Sequence, residues 1–128
     1  MKEKIELLKI YLEENIVPIL VDKLDISDIP NSIIINSNID DSELVGHYEE
    51  FVYHPPKWLD KMYQSNDMIV LIINNIDSIS KREQERFIEI LKYRQVSTFD
   101  IPKNYRILLT AKNIKNVSKR IIDLVAVI

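Results

Sequence analysis

The chain has no cysteine and one glycine, Gly46. Without cysteine there is no disulfide framework, no thiolate zinc site and no thiol nucleophile, which fits a reducing compartment. A phosphate loop needs two glycines and a lysine so that its backbone can close around a phosphate, and a dinucleotide fingerprint needs three glycines. Neither motif exists here. Positive charge is not in excess either: 17 Lys and Arg against 20 Asp and Glu give a formal net charge of -3. That argues against an electrostatic footprint for a nucleic-acid backbone, so direct nucleic-acid binding is not expected. No apolar run approaches the ~20 residues of a bilayer-spanning helix. The opening MKEKIELLKIYLEEN is too charged for a secretory signal. A cytoplasmic protein with no membrane partner is the expectation.

What is present suits one globular domain over residues 1–128, with 46% hydrophobic and 29% charged residues. Apolar runs predict strands over Ile16 to Val21, Ser32 to Asn36, Met68 to Ile73, Tyr105 to Thr110 and in the terminal LVAVI. MIVLII is continuous rather than alternating, as in a strand covered on both faces. Between the strands lie helical stripes. Ile5, Leu8, Tyr11 and Leu12 mark a helix over 3–15, and Trp58, Leu59 and Met62 one over about 57–65 that follows Pro55 and Pro56. Ser80 and Glu83 form a capping-box pattern for a helix reaching about Arg94, with Phe87, Ile88 and Leu91 inward. A short helix is expected near 117–122. Residues 37–48 read as loop, EFVYH as a short strand or hairpin arm, and 95–104 as a polar connection. Strands alternating with helices predict a three-layer α/β sandwich with a mainly parallel five-stranded sheet.

The chemistry-bearing stretch is LIINNIDSIS, Leu71 to Ser80. In nucleotide hydrolases of this architecture, a buried strand delivers a carboxylate to the magnesium shell and the next acid polarises water. IINNIDSIS resembles the hhhDEID Walker B stretch of the AAA+ ATPases. DDSELVGHYEEFVYHPP resembles the segment upstream of it in MoxR-type AAA+ proteins, where an acid, a leucine and a glycine precede a strand and a proline turn. EILKYRQVSTFDIPKNYRILLTAKN is similar to the same family's helix end, connector and sensor strand. The similarity covers roughly Ser42 to Asn113. It implies a reduced P-loop NTPase core of AAA+ type, with the first strand of the sheet between the fourth and fifth.

The departures bear most on function. Where the family has its phosphate loop, this chain passes from IVPILV through DKLDISDIPNS into SIIIN, too short for a phosphate cradle and its helix. Lys23 is nearby but has no loop to orient a triphosphate. Asn74 and Asn75 occupy the places of the metal-organising acid and the catalytic glutamate. An amide has essentially no basicity at neutral pH, so Asn75 cannot act as general base. The bland alternative is a strand end capped by two amides that satisfy loop backbone groups. Asp77 falls near the start of the next helix, where the dipole alone accounts for a carboxylate. Thr110 or Asn113 is the candidate for the sensor position, while the arginine expected near the following helix has no clear equivalent: Arg120 is one candidate, and Leu124 stands where the family often has arginine. The given residues contain no lid domain. No catalytic residue, cofactor or metal is expected.

Two further clusters have competing readings. Tyr48, Phe51, Tyr53, Trp58 and Tyr63 form either a satellite core or a partner-binding surface, with an exposed Trp58 favouring the second. His47, Glu49, Glu50 and His54 suggest a metal site, but in one extended strand 47 and 49 would face away from 50 and 54. No G-x-S-x-G spacing supports a hydrolase triad.

The reading that follows is a non-catalytic AAA+-like module acting through protein–protein interaction. It would be a regulatory or structural subunit of an ATPase assembly, with an active AAA+ ATPase as partner and homo-oligomerisation open. One alternative is a residual nucleotide or small-ligand switch at the strand-end crevice. Another is a stand-alone homo-oligomeric α/β protein with only architectural similarity.

Overall fold

The structure is a computed structural model that describes residues 2–14, 17–24, 29, 31–64, 69–97 and 99–128, with backbone alone for residues 2–5. Five strands form one sheet: β1 (Ile19–Asp22), β2 (Ser32–Asn36), β5 (Ile69–Asn74), β8 (Tyr105–Ala111) and β9 (Ala126–Val127). All its pairings are parallel, in the order β2-β5-β8-β1-β9. The first sheet strand therefore lies between the fourth and fifth, as the resemblance implies. Two antiparallel pairs stand outside the sheet, β3 (His47–Glu49) with β4 (Val52–His54) and β6 (Gln95–Val96) with β7 (Phe99–Asp100).

Side-chain alternation divides the core into two layers. Leu71 and Ile73 of β5 and Ile107 and Leu109 of β8 point to one face. There they meet α3 (Lys57–Tyr63) through Trp58, Leu59 and Met62, α4 (Ile88–Tyr93) through Ile90 and Leu91, and α5 (Lys119–Ile122) through Ile121. Val70, Ile72 and Leu108 point to the other, where Leu8 and Leu12 of α1 (Lys2–Glu14) cover them. The apolar runs at 69–73 and 107–109 are thus covered from both sides, the condition that favours such strands.

Several elements differ from the sequence expectation. β1 begins at Ile19, and Ile16, Ser65 and Met68 of the expected strands and helix lie outside the described residues. Tyr11 is exposed rather than part of the α1 stripe, while Leu8 and Leu12 are buried. The expected helix after Ser80 is a 3₁₀ segment over Glu83–Phe87 followed by α4. A 3₁₀ turn advances more per residue than an α turn, which moves the buried stripe from Ile88 to Ile90. The stretch read as loop contains one helical turn, α2 (Asp41–Val45), anchored by buried Leu44 alone. One apolar anchor gives no periodicity to read.

Candidate functional site

The strand-end crevice is built where β2, β5 and β8 finish side by side, with Asn36 in register with Asn74. Buried Thr110 joins the two asparagines: its hydroxyl donates to Asn74 Oδ1 at 2.8 Å and accepts the Asn75 N–H at 2.9 Å. Asn74 Nδ2 donates to Asn36 Oδ1 at 3.4 Å. The Ser37 N–H bonds the Asn74 carbonyl at 3.2 Å, and the Ser37 and Ser78 hydroxyls converge on the Asn75 carbonyl at 2.7 and 2.9 Å. The two buried hydroxyls of the crevice, Ser37 and Thr110, thus find partners within the chain, as buried polar groups must.

Asn75 has φ 54° and ψ 56°, in the left-handed region. Asparagine enters that region more readily than other residues with a Cβ, so its presence at 75 has a conformational cause. A glutamate there would be strained as well as solvated. Asp77 acts differently from expectation. Its carboxylate accepts the Lys112 N–H at 3.1 Å and the Asn113 N–H at 2.8 Å, tying the turn after β5 to the end of β8. The following 3₁₀ segment, Ile76–Ser78, is three residues long, so dipole stabilisation alone is not the explanation. Asn113 side-chain Oδ1 accepts the Lys115 N–H at 3.1 Å and caps a 3₁₀ turn, so Thr110 rather than Asn113 is the side chain joined to the asparagines. Arg120 pairs with Glu85 at 2.7 Å on the surface.

Gln84 was not legible as a key residue, because it sits inside the charged run SKREQER. It is wholly buried: Nε2 donates to the Ile79 and Asn116 carbonyls at 3.2 and 2.9 Å, and Oε1 accepts the Ser118 N–H at 2.7 Å. Arg86 of the same run bonds the Ser37 carbonyl at 3.1 Å and Asp41 at 2.8 Å, closing the loop after β2 onto the helical layer. Ser80 and Glu83 make the expected cap, with side chains 2.9 Å apart and the Glu83 N–H 3.2 Å from Ser80 Oγ.

The aromatic segment folds as a hairpin that stands off this body. Gly46 ends α2 with φ 88°, and a Cβ there would run into the His54 carbonyl and the Tyr53 ring. No other residue type fits that pivot. Glu50 and Phe51 both have positive φ, 52° and 67°, as a two-residue hairpin turn requires. Neither is a residue that favours it, so the tip is strained. Phe51 is 102% exposed, Tyr48 76% and Val52 58%. The base is anchored: Tyr53 donates to the Val45 carbonyl and stacks on Phe99 at 5.6 Å, and Tyr63 donates to the Asp100 carbonyl. Partial burial, then the Asp100 charge, raises the Tyr63 hydroxyl above its usual pKa. Trp58 leaves the candidate surface: it is only 6% exposed and its Nε1 donates to the Leu44 carbonyl at 3.1 Å.

The hairpin also corrects the histidine geometry. The chain turns at Glu50 and Phe51 instead of running straight, so His47 pairs with His54 across the strands and their rings stack at 5.3 Å. Glu49 shares that face, 3.9 Å from His47. Among the described residues no group of three or more His, Asp or Glu is placed to hold a metal ion. No helix among them is long and apolar enough to cross a membrane.

A scan against protein-family models gives no match for this chain, and a search of curated proteins gives none either.

Proposed function

We propose that this chain is a non-catalytic binding module, resembling a reduced AAA+ core, that acts by engaging another protein through the hairpin of residues 47–54. The observation that carries the reading is the strained tip with Phe51 and Tyr48 exposed on an anchored base. Rigid aromatics supply contact area at little conformational cost, and strain held at an exposed tip is typical of a site whose geometry serves a contact. The closed crevice supports the non-catalytic half of the reading. Asn74 and Asn75 offer no base, and Asp77 is held by two backbone N–H groups. An active ATPase of the same superfamily is the proposed partner class, on the resemblance alone.

The test uses the immobilised full chain to capture proteins from an extract of its source, beside a Tyr48→Ser/Phe51→Ser variant. The expected result is a protein captured by the parent and lost by the variant at unchanged thermal stability. Identical capture by both would sink the hairpin as the binding surface. Calorimetric titration with magnesium and ATP is expected to give no heat; micromolar binding abolished by Thr110→Val would instead establish a ligand switch in the crevice.

A further inference from the structure

One edge of the sheet carries no further strand among the described residues. β2 is an edge strand: among the described residues it pairs only with β5. The Val70 N–H bonds the Asn31 carbonyl at 3.0 Å and the Ser37 N–H bonds the Asn74 carbonyl at 3.2 Å. In a parallel ladder these bonds fix the phase, so the odd-numbered residues of β2 face β5 and the backbone groups of Ser32 and Ile34 point outward. Ile34 is 49% exposed. Proteins blunt such edges with charge, proline or a bulge, and SIIIN has none of these.

Alongside this edge runs a groove of about 630 Å³, floored by Ile33 and Ile35 and walled by α3 and Glu43. Lys57 and Lys61 stand four residues apart on α3, and both line it. Neither has an ion-pair partner among the described residues. In a chain of net charge -3, the groove wall has two lysines against one acid. Register places Ile33 and Ile35 on the α3 face and Ile34 on the α1 face.

We infer that β2 is an acceptor for an extended segment of another protein, in which acidic and aliphatic residues alternate. Its backbone continues the sheet at Ser32 and Ile34. Its carboxylates lie on the α3 side, towards Lys57 and Lys61, and its aliphatic side chains cover Ile34. Backbone bonds give affinity and alternate side chains give selectivity, as in other strand additions. His47 at the foot of the hairpin also lines this groove, whereas Tyr48 and Phe51 at its tip do not.

The probe is a fluorescein-labelled ten-residue peptide of alternating valine and glutamate, titrated by fluorescence anisotropy against the full chain. It is expected to bind at least about tenfold more tightly than the valine–lysine counterpart, and a peptide N-methylated at alternate residues is expected to bind about tenfold more weakly than the parent peptide. Lys57→Glu/Lys61→Glu changes exposed helix positions and is expected to invert the preference. Ile34→Pro removes an outward N–H while leaving the ladder to β5, and is expected to abolish binding; its thermal transition checks that it folds. Equal binding of acidic and basic peptides, or indifference to N-methylation, would overturn the inference. So would a dimer in sedimentation that Ile34→Pro dissolves, since a second copy would then hold the edge. Peptide binding lost in Tyr48→Ser/Phe51→Ser but kept in Ile34→Pro would move the peptide to the hairpin, overturning this site and leaving the hairpin reading intact.

Discussion

The strand-end crevice and the hairpin are neighbours in sequence on either side of α3, yet they treat their polar and apolar groups in opposite ways. In the crevice, Asn74, Asn75, Thr110 and Asp77 each bond another part of the chain. At the hairpin tip, Tyr48, Phe51 and Val52 leave large apolar surfaces in water. Open α/β sheets ordinarily bind ligands beyond the carboxyl ends of their strands. Here Ser37, Asn74, Thr110 and Asp77 of that region bond within the chain, and large exposed apolar side chains lie instead at the hairpin and on β2. A fold therefore locates a crevice, but hydrogen-bond accounting decides whether it has anything left to offer a ligand.

Substitutions can break this contrast, because closed-side changes should alter stability and open-side changes should alter binding. The largest expected effect is Gln84→Leu, which strands the part-buried Ile79 and Asn116 carbonyls and the buried Ser118 N–H and should destabilise the fold by about 3 kcal/mol in urea unfolding. Gly46→Ala forces a Cβ against the His54 carbonyl and should destabilise by about 2–3 kcal/mol, with the loss concentrated in hairpin amide-exchange protection. Thr110→Val leaves the Asn75 N–H and Asn74 Oδ1 without their partner, for about 2 kcal/mol by the same unfolding measurement. Asn75→Ala should be destabilising by about 1 kcal/mol while Asn75→Gly is neutral or better, a pair that isolates the left-handed backbone from side-chain chemistry. Tyr48→Ser/Phe51→Ser should change stability by no more than about 0.5 kcal/mol while removing partner capture. If that double variant unfolded the chain, the hairpin would belong to the core and the contrast would fail.

Much of the sheet was legible because its signal is local. Three consecutive isoleucines at 33–35 and the apolar runs at 69–73 and 105–109 can be satisfied only in buried or half-buried strands. Helix α2 and the β6–β7 pair were not legible, since one Leu44 or a two-residue strand has no period. The candidate positions were partly legible. Asn74, Asn75 and Thr110 converge as their places in the strands suggest, whereas the work of Asp77 depends on N–H groups 35 and 36 residues away. The five aromatics separated only in three dimensions, with Trp58 inward and Phe51 outward. Nothing in their spacing distinguishes these fates.

By itself the sequence determined that no phosphate loop or thiol chemistry is available and that the chain alternates strands with helices. Composition and periodicity are properties of residues taken with their neighbours. Only the tertiary structure decided that the chain turns at Phe51, that His47 meets His54, that Gln84 is a buried strut, and that β2 ends the sheet among the described residues. These outcomes depend on which distant backbone groups come within hydrogen-bonding range, a matter of long-range pairing that no short window of residues contains.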